Sequence, residues 1–291
     1  MSKSISKKID LKIALSLLFF LLFLLFFQHS LLFAGEALCS NGHIENFEHG
    51  SINWSTGSIT AKGKAAPLKE NKNKLSSSIP GAANADAMKN LIDILKNIKI
   101  ARQSVEEFVA SNDDIMAQFE NTISDVSAIK QYYTSDGALE IEVKTSMYGS
   151  FLQFILPHTI AQIPEIHSIK VSDEVLKQRG KYTGLVLDTR GLKFKPLLYP
   201  IIKNEYGEEI YSELYINREY AVQRGICQYS CDMEKAVADK RVGANPLVLK
   251  GLRIGDESNS IIINKSDAEK IEKIIERHSF FKECRVIIVI D

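Results

Sequence analysis

The chain opens with an almost unbroken apolar run over residues 13–27, resumed at 31–34 after Gln28, His29 and Ser30. Beyond it the apolar residues are spaced, and the spacing separates helices from strands. Residues 52–61 read as one strand, rich in β-branched side chains with partial alternation. From Gly81 onward, Ala85, Met88, Leu91, Ile92, Leu95 and Ile98 recur mostly three or four apart, the period of a helix with one buried stripe. A second helical pattern holds Val105, Phe108, Val109, Ile115, Phe119, Ile123 and Val126, with Asn112, Asp113 and Asp114 marking a cap or break inside it. Residues 139–144 alternate apolar and charged side chains, so one face is buried and the other wet. Ser135-Asp136-Gly137 joins this strand to a strand-like run at 128–134, and Asp-Gly between two such runs signals a hairpin. Residues 40–52 and 67–81 are polar and read as a tether and a loop. A sheet covered on one side by helices would bury both periodicities.

Residues 156–181 hold Pro157, Pro164 and many polar side chains and read as a connector. After it come short apolar strands at 182–189, 247–254 and 260–263, with a turn at Asn204-Glu205-Tyr206-Gly207. Ser266 is placed to cap a helix running to about His278, with Glu269 three residues on as in a capping box. The unbroken run 286–290 predicts a central strand buried on both faces. The expected fold class is therefore α+β, with two small sheet-plus-helix units following an N-terminal segment. The boundaries are 1–37 for that segment, 51–155 for the first unit, 156–181 for the connector and 182–291 for the second unit.

The N-terminal segment changes what the rest of the chain can be. Lys3, Lys7, Lys8 and Lys12 precede the apolar run and small residues follow it, the marks of an export signal. Cleavage would follow Ala37, with Gly35 at minus three, or follow Ala34. Retained as an anchor, the segment must reach roughly twenty apolar residues, which 13–34 does only by including Gln28, His29 and Ser30. A third form is a lipid on Cys39, although Leu38 at minus one and Glu36 at minus three suit that processing poorly. All three place the chain in the periplasm or at a membrane, touched through its N-terminal segment. Export permits disulfides. Cys227 and Cys231 would be neighbours on a helix but about 13 Å apart on a strand. The preferred reading makes Cys227, Cys231 and Cys284 buried thiols used as small hydrophobes.

Charge and motif chemistry narrow the picture further. Lys+Arg and Asp+Glu both total 36, which argues against nucleic acid as a partner. The stretch Gly57 to Ala65 resembles a phosphate loop only loosely, being one residue too long and lacking the hydroxyl residue that holds magnesium. Asp188, in Asp188-Thr189-Arg190-Gly191, stands at the end of an apolar strand, where α/β folds place functional groups; the plainer reading is an aspartate opening a turn. His43 and His49, near Cys39, Glu45 and Glu48, would form at best a weak metal site on a flexible tether. His158, His167 and His278 are scattered. Tyr199, Tyr206, Tyr211, Tyr215 and Tyr220 suit either a partner surface or internal packing. No catalytic, cofactor-binding or metal-binding residue is assigned, and no cofactor is expected.

A family resemblance rests on three stretches between Trp54 and Gly149. They are the strand ending Ala61-Lys62-Gly63-Lys64-Ala65, the helix Ala82-Ala83-Asn84-Ala85-Asp86-Ala87-Met88-Lys89-Asn90-Leu91, and the strand Asp136-Gly137-Ala138-Leu139-Glu140-Ile141-Glu142-Val143. Together they resemble the Lpp-twenty lipoprotein family of bacterial envelope proteins, related to the N-terminal domain of flagellar assembly protein T. Residues 182–291 look like a module that often follows that domain in uncharacterised exported proteins. The resemblance implies an envelope protein without known catalytic residues. The expectation is therefore an exported cell-envelope protein with a structural or protein-interaction role, an envelope protein as partner, and no enzyme activity. The alternatives are a periplasmic small-molecule-binding module, with its pocket between the two units, and a hydrolase using Asp188 with a distant histidine.

Overall fold

Alternating residues that bury one sheet face need a partner layer, and in the N-terminal half a single helix supplies most of it. The computed structural model describes residues 41–66, 79–110, 113–123, 126–156, 182–275 and 280–291. The leader and the connector, with the readings made for them, lie outside these residues, as does Cys39. The first sheet is antiparallel throughout, in the order β1-β2-β3-β5-β4. Its strands are β1 (Ile44–Phe47), β2 (Gly50–Asn53), β3 (Ser58–Ala65), β4 (Ser127–Tyr133) and β5 (Leu139–Ser146).

The expected β4–β5 hairpin is present. The expected tether at 40–52 is instead β1 and most of β2, and the single expected strand at 52–61 is split by a four-residue turn, its start lying in β2 and residues 58–61 in β3. The turn chemistry lies in residues that also suit strands. The Asn53 side chain accepts hydrogen bonds from Ser55 N and Thr56 N, both at 3.1 Å, which closes an Asx turn. Gly57 then adopts φ 69°, a conformation that costs glycine little.

Helix α1 (Ile79–Asn97) lays Ala83, Ala87, Leu91, Ile94 and Leu95 against β3 and β5. Gly63 permits the close approach: a Cβ there would overlap the helix backbone at Ala83 and Ala87. The second helical pattern divides into α2 (Val105–Val109) and α3 (Asp113–Thr122). Ser104 caps α2, its Oγ accepting from Glu107 N while the Glu107 carboxylate accepts from Ser104 N. Phe119 of α3 meets Phe151 and Phe154 of α4 (Ser150–Ile155).

The C-terminal half carries two small sheets. One is wholly parallel, in the order β10-β6-β13-β9, from β6 (Leu185–Asp188), β9 (Gln228–Ser230), β10 (Leu247–Lys250) and β13 (Val286–Val289). As the apolar run at the end of the sequence requires, β13 is a central strand with all four residues buried. The other has the order β11-β12-β7-β8, from β7 (Ile201–Lys203), β8 (Glu209–Tyr211), β11 (Arg253–Ile254) and β12 (Ser260–Ile262). Helices α5 (Arg218–Arg224), α6 (Met233–Ala238) and α7 (Lys265–Ile275), with a single 3-10 turn at Glu213–Tyr215, complete the described elements. Helix α7 is capped two residues earlier than expected. Asn264, rather than Ser266, accepts from Asp267 N at 2.9 Å and donates back to the Asp267 carboxylate at 2.7 Å. The chain is α+β.

The two halves belong to one compact unit, Gly42–Asp291, with buried side chains from both in one hydrophobic cluster. Trp54 meets Tyr229 edge-on at 5.8 Å. Leu198 N and Tyr199 N donate to Lys99 O and Ile100 O, and Arg218 donates to Gln153 O at 2.6 Å. Within the C-terminal half, the buried Arg241 guanidinium donates to three carbonyls, those of Cys284, Arg224 and Gly225. Three otherwise unsatisfied acceptors explain how a buried cation is tolerated there.

Gly63→Ala is expected to destabilise the protein by about 1–3 kcal/mol, because the helix must move off the sheet. Chemical denaturation measures it. Gly81→Ala, at a position where a Cβ meets nothing within 4 Å, is the control.

Candidate functional site

Two places merit consideration as a site: the carboxyl ends of the parallel strands, and the free edge of the first sheet. The carboxyl ends gather Asp188, Arg190, Lys250 and Asp291. Asp188 is committed. Arg190 Nε and Nη2 each donate to its carboxylate at 2.8 Å, and Arg190 N donates at 3.1 Å. These bonds hold the Asp188 carboxyl below its usual range against the opposing effect of burial. The Asp291 side chain is held similarly, accepting from Gly191 N at 2.7 Å and Lys193 N at 3.2 Å. Gly191 and Lys193 both have positive φ, 83° and 56°, so their amides point at one carboxylate, as in an anion nest. Thr189 Oγ1 donates to Val289 O at 2.8 Å. The cluster thus closes on itself: an aspartate opening a turn, with its own arginine as partner.

Among the described residues, neither His43 nor His49 is bonded to Asp188. His43 lies beside β1, with its ring bonded to the Asp291 backbone. Burial, the largest influence, pushes its imidazole below the usual value. His49 is exposed beside Glu48 at 3.7 Å. Among the described residues, no group of three or more histidine, cysteine, aspartate or glutamate side chains could hold a metal. His158, His167 and His278 lie outside the described residues. Gly57 to Ala65, weighed as a phosphate loop, is a turn residue followed by strand β3.

The cysteines divide. Cys227 and Cys284 are free and buried, and burial pushes both thiols up to about 12. Cys231 departs from the buried-thiol reading: it is disulfide-bonded. It sits half-buried just beyond the end of β9, where a thiol can be reached.

The five tyrosines do not form one surface. Tyr199 and Tyr211 are core residues, and Tyr211 OH donates to Ile226 O at 2.8 Å. Tyr206 is exposed with Lys265 over its ring, while Arg224 lies over Tyr220. A shallow recess of about 210 Å³ is lined by Thr145, Ser146, Tyr148 and Ser150, among others. It is smaller than the roughly 300 Å³ at which small-molecule pockets begin, and its lining comes from the N-terminal half alone.

The sheet edge is different. All seven residues of β4 are exposed, although β4 pairs with β5 along nearly its whole length. Ile129, Tyr132 and Tyr133 are 44%, 46% and 65% exposed, three of the large exposed apolar side chains of the molecule on one strand. On the wet face Lys130 pairs with Glu142 at 3.2 Å, and Tyr132 OH donates to Glu140. Other edge strands are protected as edges usually are, by being short: β1 and β10 have four residues, β8 and β9 three, and β11 two. The sequence reading placed β4 in its hairpin but missed its exposure. The signal was there: residues 127–133 show no apolar–polar alternation, hence no buried face.

Because Asp188 is stabilised as the carboxylate, its contribution is present above the unfolded carboxyl pKa of about 3.9 and is lost as pH falls through the lower folded value. The stability gap between the wild type and Asp188→Asn is therefore expected at neutral pH and should close below about pH 4. Thermal melts across pH 2–8 check this.

No curated protein sequence matches the chain. Residues 184–291, from β6 to the end of β13 and beyond, match the family described as Treponema pallidum Tp0624, second domain.

Proposed function

We propose that the chain is an exported cell-envelope protein that works by holding another polypeptide rather than by catalysis. The observation that carries this reading is β4. It is a seven-residue edge strand, exposed on both faces and bearing Ile129, Tyr132 and Tyr133. An edge strand offers a row of unpaired N–H and C=O groups, and an added strand satisfies them while flanking pockets or rings supply specificity. Tyrosine contributes contact area with little side-chain entropy to lose. Two further features support the reading. The N-terminal segment has the charge and apolar pattern of an export signal. The Cys231 disulfide suits an oxidising compartment. The resemblance of residues 54–149 to the Lpp-twenty family points the same way.

Site-specific cross-linking in the exporting cell tests the proposal. A benzophenone-bearing residue in place of Tyr133 is expected to give a polypeptide adduct in the envelope fraction. The same group in place of Lys62, exposed on the wet face of β3, is expected to give none. Recovery of only the unmodified chain from Tyr133, or of intact unprocessed chain free in the cytosol, would contradict the reading.

A further inference from the structure

Resting on the interaction reading above, we infer that the polypeptide that pairs with β4 is a second copy of this chain, joined β4 to β4 across a two-fold axis at Gln131. The argument starts from the direction of the backbone groups. At the hairpin end Thr134 N donates to Ala138 O at 2.8 Å. In an antiparallel ladder the groups facing a given neighbour alternate. Lys130 and Tyr132 therefore turn theirs toward β5, while Gln131 and Tyr133 turn theirs outward. Only a pairing that sets outward residues opposite outward residues can form hydrogen bonds.

Side-chain chemistry selects among the registers that remain. With Gln131 opposite the partner's Gln131, Lys130 faces the partner's Tyr132, and Ile129, the residue that the bulge leaves without a partner on β5, comes alongside the partner's Tyr133. Ile129 and Tyr133 then meet across the axis, and each lysine meets the Tyr132 ring of the other copy. Sliding by one residue each way puts Lys130 opposite the partner's Lys130, two like charges face to face. Sliding in the other direction puts Tyr132 on the axis and runs Ile129 into the partner's Ser135, inside the hairpin turn. The register bulge between Ala128 and Lys130 bounds the pairing at one end and that turn bounds it at the other. The strand is thus self-complementary in one register, the requirement of an isologous two-fold contact.

Five residues a side bury much less than the roughly 1,600 Å² of a standard interface. The pairing is therefore reversible, and it is favoured where chains are concentrated at a membrane. Cross-linking reads such a contact better than size alone.

The test uses the full chain, made in two tagged versions in one exporting cell, one carrying Ile129→Cys and the other Tyr133→Cys. A short thiol cross-linker is added. The expected product joins the two tags. Gln131→Pro in both versions should abolish it, because proline removes an outward N–H without removing a bond to β5. Ile129→Lys with Tyr133→Lys, changes at exposed positions, should likewise remove a dimer that Gln131→Cys alone produces. Melting temperatures of these variants should stay at the wild-type value. Val248→Cys on the β10 edge and the unsubstituted chain are the blanks. No joined tags, a yield unmoved by Gln131→Pro, or an equal yield from Val248→Cys would overturn the inference. Capture of a different protein at positions 129 and 133 would overturn the second copy while leaving the interaction reading standing. Capture of nothing would remove both.

Discussion

An α-helix is about 10 Å across and strands in a sheet lie about 4.8 Å apart, so one helix covers about two strands. The first sheet of this protein has five strands, and α1 lies on β3 and β5. What happens to the uncovered strands follows from that mismatch. On one side, the C-terminal half approaches the β1–β2 region: Trp54, in the turn after β2, packs on Tyr229, and His43 reaches the Asp291 backbone. On the other side, β4 overhangs the helix with both faces exposed. The Gly63 contact decides where the overhang falls, because it fixes how closely and over which strands the helix sits.

The C-terminal half solves the same packing problem by another route. Its parallel sheet buries β13 between β6 and β9, as parallel strands generally must be buried. The carboxyl ends of such a sheet are where ligands bind in open α/β folds, and here those ends are filled by the chain itself. Arg190 engages Asp188, and the amides of Gly191 and Lys193 engage Asp291. The buried Cys227 and Cys284 thiols are held protonated by burial, and unreactive thiols of this kind suit packing better than chemistry.

Much of this was legible in the sequence, and the rest was hidden for identifiable reasons. The long helix over 79–97, the hairpin at 127–146 and the central strand at 286–289 are strongly periodic or uniformly apolar, and pattern alone finds them. The β1–β2–β3 meander was misread because its turn uses Asn53 and Gly57 within a run of strand-forming residues. The cap of α7 was misplaced by two residues because Asn264-Asp267 and Ser266-Glu269 offer the same spacing. Parallel pairing of β6, β10 and β13 is a matter of long-range register that no local pattern encodes. Exposure of β4 was encoded, as missing alternation, whereas the scattering of the tyrosines between core and surface depended on the tertiary fold.

The central claim is that the outward backbone groups of β4 are free in the single chain and paired in its assembly. Residue-resolved amide hydrogen exchange of the folded protein, followed as protein concentration rises, tests it most directly. The account predicts that in dilute solution Lys130 and Tyr132 are protected while Gln131 and Tyr133 exchange freely, and that Gln131 and Tyr133 gain protection at high concentration. Protection of Gln131 and Tyr133 that is already full in dilute solution, or that never changes with concentration, would contradict it.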